Sequence, residues 1–379
     1  MIPNNPFLIS GYHSPEYFCD RKQETAKITD GLHNGRNITL IAPRRMGKTG
    51  LIRHTFQNIN NQDSKIITLY MDIFSTQSLG DFVKLFANTV LGKLDSNPKK
   101  ALNRITRFIR SCRPIFTIDE LTGIPKVTID VVPSEEENTL KEIFDYLSSS
   151  EKRCYIAIDE FQQIAKYPEK NIEALLRTHI QKSGNSNFIF AGSERHMMQE
   201  MFTSAARPFY NSTDILELNA IPAEIYTKFV VYHFERRNKR ISQNDVMVLY
   251  DLFKGHTYYM QRTFNEAFAD TPEGETCTKE IIDNAVNTMI DSSDTIFREI
   301  LSNIPENQKS VLYAIAKDGE ATQIHSSDFI SRHKLKSASS VQAAVKRLLD
   351  RDIITEINKV YSVNDKLFAM WINKINSNI

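Results

Sequence analysis

Between residues 38 and 218 the chain repeats one pattern: a short apolar run, a polar turn, then a longer stretch with apolar residues three and four positions apart. Such runs read as buried strands and the stretches between them as amphipathic helices. Strands are predicted at the start of 38–49 (ITLIAPRRMGKT), over 65–73 (KIITLYMDI), 154–158 (CYIAI), 187–191 (NFIFA) and 215–218. Helices are predicted over 79–94, where Phe82, Leu85, Phe86, Thr89 and Val90 lie near one face, and over 172–180. Strands alternating with helices predict an α/β fold, a doubly wound parallel sheet. The segments 115–118 and 126–132 flank a Gly-Ile-Pro turn and read as a hairpin inserted at about 114–133, followed by an acidic loop over 134–138. Residues 98–111 read as a basic helix (Lys99, Lys100, Arg104, Arg107, Arg110), either a solvated face or a contact for an anionic partner.

From Pro222 the strand signal stops. About four helices are predicted over 222–301, with a break at Gly255-His256-Thr257-Tyr258-Tyr259. Beyond Pro305, helices over 306–317, 326–334 and 338–350 precede two β segments, 353–357 and 359–363, separated by Asn358. Three helices and a hairpin predict a winged helix-turn-helix. The expected organisation is an α/β core over 1–221, a helical lid over 222–303 and a winged helix over 304–379. Residues 1–20 are polar and proline-marked and read as an extended lead-in to a helix ending near Leu32, with Asp20 as N-cap and Glu24 in its first turn.

Composition adds few constraints. A net charge of +1 over 379 residues gives no whole-protein field pointing to nucleic acid or membrane. The four cysteines, Cys19, Cys112, Cys154 and Cys277, form no CxxC pair, which argues against a disulfide framework and a zinc site. No apolar run reaches the length of a membrane span, and the first residues have no basic-then-apolar signal. A cytoplasmic protein without a membrane partner is expected.

The chemistry concentrates in two places. Residues 38–49 combine strand, loop, Lys-Thr and helix, the Walker A arrangement that holds a nucleotide's phosphates. Pro43, Arg44, Arg45, Met46, Gly47, Lys48, Thr49 and Gly50 form the expected phosphate site. Gly47 tolerates positive φ and lets the backbone approach an anion. Lys48 supplies a point charge and the Thr49 hydroxyl a ligand for Mg²⁺. Ala42 stands where the Walker pattern has glycine. Asp159-Glu160, at the C-terminal end of the strand 154–158, has the form of Walker B. Asp159 would hold Mg²⁺ with Thr49, and Glu160 would orient and polarise an attacking water. Ser193, after the next strand, either contacts that water or the γ-phosphate, or is a satisfied serine in a Gly-Ser turn.

Together APRRMGKTGLI, CYIAIDEFQ, FIFAGSERHMM, RPFYNST, GHTYYMQ and the C-terminal winged helix resemble the AAA+ ATPases of prokaryotes, in particular the archaeal-type branch related to the STAND signalling NTPases. The resemblance implies ATP and Mg²⁺ as ligands, an α/β core, a helical lid and a winged helix. It also implies that the lead-in segment packs on the adenine, where a capped surface helix is the alternative. Relatives carry a Gly-Arg after the proline-aromatic segment, and here Pro208-Phe209-Tyr210-Asn211-Ser212 lacks it. Arg207 is then the nearest candidate arginine finger, with Arg195 next. In the lid, Tyr258 occupies the usual proline position, and Arg262, one turn on, is either a sensor for the nucleotide or a solvated charge.

In the winged helix, Val341, Val345, Leu348 and Leu349 share one helical face, while Ser339, Ser340, Gln342, Lys346 and Arg347 lie elsewhere. With Lys334 and Lys336 these form the candidate DNA contact. Eleven lysines and arginines against eight acidic residues after Pro305 make only a small basic excess, so the module suits either DNA or a docking protein. Two functional readings follow. One is Mg²⁺-dependent ATP hydrolysis coupled to a switch of lid and winged helix. The other is a slow-hydrolysing, ATP-gated regulator that binds DNA or protein, with a finger supplied by a partner or by another copy in a homo-oligomer.

Overall fold

The computed structural model describes residues 3–94, 111–118 and 125–377. The predicted basic helix at 98–111 lies outside the described residues, apart from Ser111. The chain divides into two compact units, Ser10–Ile221 and a second made of Met1–Ile9 with Pro222–Ile379.

In the first unit, α1 (Lys22–His33) leads to β1 (Ile38–Ile41), α2 (Lys48–Gln62), β2 (Ile67–Asp72) and α3 (Leu79–Leu94). The hairpin β3 (Cys112–Ile118) and β4 (Pro125–Val131) precedes α4 (Glu136–Ser148), β5 (Cys154–Asp159), a 3-10 turn (Phe161–Lys166) and α5 (Ile172–Lys182). β6 (Ser186–Gly192), α6 (Arg195–Thr203) and β7 (Asp214–Glu217) complete it. Five strands pair in parallel in the order β2-β5-β6-β1-β7, so one strand, β6, separates β1 from β5.

The period-2 geometry of a strand explains how both faces are covered. Tyr155 and Ala157 of β5, with Ile189 and Ala191 of β6, meet Ile28 and Leu32 of α1 and Leu51, Ile52 and Phe56 of α2. The alternate residues, Ile156, Ile158, Phe188 and Phe190, turn to the other face, against α3, α4, α5 and α6. The inserted hairpin is antiparallel and is tied to α3: Ile129 N donates to Asn88 Oδ1 (3.0 Å) and Lys84 pairs with Asp130 (2.8 Å).

Three expectations are corrected. Residues 134–138 are not only an acidic loop: α4 begins at Glu136 and buries Leu140, Ile143, Phe144 and Leu147. Acidic residues in a first helical turn complement the helix dipole, so this cluster marks a helix start. Asp20 is not the N-cap of α1. Asp20 and Arg21 both take left-handed φ (54° and 65°), Arg21 is the cap residue, and no side chain caps the helix. Residues 3–9, read as the start of the α/β core, belong to the other unit.

The second unit begins with α7 (Ala223–Glu235), β8 (Arg240–Ile241), α8 (Gln243–Phe253), α9 (Thr257–Asp270), β9 (Thr276–Cys277), α10 (Lys279–Ser292) and α11 (Asp294–Ser302). Its core is organised around Phe7, which is fully buried among Phe229, Phe234, Phe264, Phe268 and His233, with ring centroids 5.6–6.2 Å away. Reciprocal amide bonds fasten the segment: Asn5 Nδ2 donates to Asn265 O (2.8 Å) and Asn265 Nδ2 to Phe7 O (2.7 Å).

The winged helix follows, with α12 (Glu306–Asp318), β10 (Ala321–Thr322), α13 (Ser327–Arg332), α14 (Ala338–Asp350), β11 (Ile354–Ile357), β12 (Val360–Val363) and α15 (Lys366–Ser377). Its sheet order is β10-β12-β11, antiparallel. Asn358 and Lys359 form the hairpin turn with φ of 51° and 65°. Ser326 and Ser337 cap α13 and α14 by accepting from Phe329 N and Ser340 N. The closing helix α15 follows the hairpin, beyond the predicted elements. It is held by Trp371, whose Nε1 donates to Asp294 Oδ1 (2.9 Å) and whose ring neighbours Phe297 and Phe368.

Candidate active site

The site lies at the C-terminal ends of the parallel strands, where an open α/β sheet presents its loops. After β1 the chain turns through 42–47 and enters α2 at Lys48. Arg45 (φ 64°) and Gly47 (φ 92°) both take positive φ, so the loop wraps a concave path of backbone amides in front of the helix N-terminus. Arg44 and Arg45 are exposed, Pro43 and Gly50 half-buried, and Met46 is buried in the core beneath the loop.

Lys48 is more enclosed than its position at a loop mouth suggests. It is 5% exposed, and its Nζ donates to the carbonyls of Ala42 (3.3 Å) and Pro43 (3.4 Å). Burial lowers its pKa, an effect opposed by the nearby carboxylates of Glu160 and Asp159 and reinforced by Arg44.

Asp159, 2% exposed, joins the two motifs. Thr49 Oγ1 donates to its Oδ2 at 2.6 Å, and Tyr70 OH donates to the same oxygen at 2.8 Å. Glu160 N donates to Oδ1 at 3.1 Å. The Thr49 hydroxyl and the Asp159 carboxylate are thus adjacent hard oxygens. That donor set fits Mg²⁺, which takes one or two protein oxygens beside phosphate and water. No group of three or more His, Cys, Asp or Glu that could hold a metal by themselves occurs among the described residues.

Glu160 sits in the left-handed region (φ 56°, ψ 40°), an uncommon backbone for a non-glycine residue. Its Oε2 accepts from Ser193 Oγ and from Gln162 Nε2, both at 2.6 Å. Ser193 therefore meets the candidate base directly. Gln162, which the sequence reading missed, is buried against β6. A Cβ at Gly192 would fall 2.4 Å from Gln162 Oε1, so the glycine leaves the space the amide occupies. A further carboxylate, Asp72 at the end of β2, is in register with Asp159, and its pKa is raised by burial and, to a lesser degree, by Asp159 and Glu160.

The remaining candidates are engaged as follows. Arg207 pairs with Glu173 (2.5 Å) and Glu200 (3.4 Å), and Arg195 with Glu217 (2.9 Å). Arg262 belongs to the second unit, where it pairs with Glu266 (3.0 Å). Lys334, Lys336, Lys346 and Arg347 are exposed on the winged helix, while Val341, Val345 and Leu348 are buried. Of the lead-in segment, Phe18 lies over the first turn of α2, 3.3 Å from where a Cβ of Gly50 would stand. It stacks on His54 (4.5 Å), and Tyr12 OH is hydrogen-bonded to His54 Nδ1 (2.9 Å).

Comparison with known proteins agrees with this geometry. The pattern of the family described as "ATPase domain predominantly from Archaea" matches residues 18–263, and that of a "probable winged helix domain" matches 295–374. An uncharacterized ATP-binding protein of Methanocaldococcus jannaschii is 24% identical over 269 residues, covering 66% of this chain and 69% of the relative. Among solved structures, the Walker-type ATPase of Pyrococcus abyssi superposes with a TM-score of 0.67 at 17% identity, over 97% of this chain and 99% of that one. The Aeropyrum pernix ORC2 protein, in ADPNP–ADP complexes, gives 0.60 at 14% identity over 98% of each.

Proposed function

The chain belongs to the archaeal-type ATPase family, and from that premise we propose that it is a Mg²⁺-dependent ATPase whose nucleotide state is transmitted to its lid and winged helix. The observation that carries this reading is the 2.6 Å hydrogen bond from Thr49 to Asp159, which joins the two nucleotide motifs 110 residues apart in sequence. The named binding of ATP by the Methanocaldococcus relative and of ADPNP and ADP by the Aeropyrum protein supports ATP as the ligand.

The roles follow from the chemistry of each group. The backbone N–H groups of residues 44–50, at the loop and the N-terminus of α2, receive the phosphates. Lys48, released from the Ala42 and Pro43 carbonyls, turns its ammonium to the terminal phosphates, where an anion restores the charge stabilisation that burial removes. Thr49 and Asp159 would hold Mg²⁺, which would supply positive charge to the nucleotide's phosphates. Glu160 accepts a proton from the attacking water, and Ser193 and Gln162 fix its carboxylate.

A second reading, a slow-hydrolysing regulator that binds DNA or protein, is favoured by the arginines. Arg207 and Arg195 are each committed to carboxylates of their own unit, so a finger would come from another molecule. A turnover assay separates the readings. ATP hydrolysis is measured with Mg²⁺ or with EDTA, with and without duplex DNA, across protein concentration. Specific activity that is Mg²⁺-dependent and independent of protein concentration supports the self-contained ATPase. A rise with concentration supports a finger supplied in trans, and the absence of turnover under all conditions overturns the enzymatic reading.

A further inference from the structure

We propose that Tyr70 is a positioning residue for the metal-binding carboxylate of Asp159, fixing its rotation through the phenolic hydroxyl. The inference rests on the assignment of Asp159 as a Mg²⁺ ligand. Tyr70 stands on β2, next to β5 in the sheet, and its register partner is Ala157, two residues before Asp159. It is a strand residue with no place in either nucleotide motif.

Three contacts make the case. Tyr70 OH donates to Asp159 Oδ2 at 2.8 Å, the same oxygen that accepts from Thr49. The phenol ring is itself held: the guanidinium of Arg53 lies 4.9 Å from its centroid. Arg53 is on α2, four residues after Thr49, so one turn of that helix addresses both the ring and the carboxylate. The Tyr70 hydroxyl is therefore placed from β2 and from α2 together.

This placement matters because the terminal torsion of an aspartate is broad and not fixed by rotamer preference. A carboxylate that shares a metal with phosphate must present an oxygen in one direction, and Mg²⁺ tolerates little departure from octahedral geometry. On Oδ2, Thr49 is the first donor, but its oxygen is also the expected metal ligand. Tyr70 is a donor with no such second task. It keeps the carboxylate plane in place whichever partner Thr49 engages, as outer-shell hydrogen bonds do for metal ligands generally.

The test uses Tyr70→Phe in the full chain, a change that removes one oxygen and keeps the ring over which Arg53 sits. ADP affinity is measured by titration calorimetry in EDTA and in Mg²⁺, and Mn²⁺ affinity of the ADP complex by electron paramagnetic resonance. Expected are an unchanged affinity for ADP in EDTA, an unchanged thermal midpoint, and Mn²⁺ binding weakened roughly tenfold. In an Asp159→Asn background the same Tyr70 change should have no further effect on Mn²⁺ binding. Equal Mn²⁺ affinity in wild type and Tyr70→Phe overturns the proposal. So does a parallel fall of affinity with and without metal, which would make Tyr70 a support of the fold alone. If wild-type ADP binding is indifferent to metal, the assignment of Asp159 fails instead, which distinguishes that failure from this one.

Discussion

A lysine ammonium held in a desolvated loop is far from its preferred surroundings, and Lys48 is retained there by two carbonyl oxygens. Lys48→Ala should abolish ATP binding, measured by titration calorimetry. Because the lost group is a buried charge whose hydrogen bonds are long, the thermal midpoint should shift by no more than a few degrees. Unchanged ATP affinity would remove the phosphate loop from the function. The placement of Lys48, Thr49, Asp159 and Glu160 at strand ends was legible in the sequence, because strand, loop and helix fix their spacing, whereas the bond from Ser193 to Glu160 was not. The enclosure of Lys48 was not, since burial depends on what the rest of the sheet brings over the loop. Tyr70 and Gln162 were equally hidden. Tyr70 reads as one more β-favouring residue of β2, and its partner Asp159 is 89 residues away.

At the scale of elements, the strands of the sheet and the helices α2, α3, α12 and α14 could be read because their apolar residues recur with a clear period, with a serine cap besides at α14. α4 and α15 could not. α4 was hidden behind the acidic cluster at its own N-terminus, and α15 lies after a hairpin that looked like the end of the module. The least legible feature is the N-terminal segment. Polar and proline-marked, it reads as a lead-in, yet Phe7 is the centre of an aromatic core built from residues more than two hundred positions later. Phe7→Ala should destabilise the second unit by about 3–5 kcal/mol. Denaturant unfolding followed by signals from that unit would show it, and a change below about 1 kcal/mol would mean that the cavity collapses without loss. The neighbouring His233 gives this core a pH dependence. Burial lowers its pKa from 6.5 to about 4, so the folded imidazole stays neutral while the unfolded one takes up a proton. Its contribution is fully present above pH 6.5 and is lost progressively as pH falls toward 4, by on the order of 3 kcal/mol. The thermal midpoint of wild type should therefore fall more between pH 7 and 5 than that of His233→Leu. Parallel slopes would contradict this.

For the whole molecule, the chain passes between its two units twice, after Ile9 and after Ile221. Any change at the nucleotide site thus has two covalent routes to the unit that carries the winged helix. The basic excess of the winged helix is small, and Lys334, Lys336, Lys346 and Arg347 are exposed on it. If duplex DNA is bound, changing Lys334, Lys346 and Arg347 together to Ala should weaken binding to all sequences and flatten its salt dependence. Gel shifts at two salt concentrations would read this out, and no shift by wild type at low salt would leave the winged helix as a protein-docking module.

Hydrolysis itself is tested most directly by a single-turnover measurement with radiolabelled ATP and excess protein, comparing wild type with Glu160→Gln in saturating Mg²⁺. Glutamine keeps the size of the side chain but cannot take a proton from water. The variant should bind ATP within about twofold of wild type and form product at least about a hundredfold more slowly. Product formation by the glutamine variant at the wild-type rate would show that Glu160 is not the base. Absence of product from wild type with ATP fully bound would show that the assembled site does not hydrolyse it.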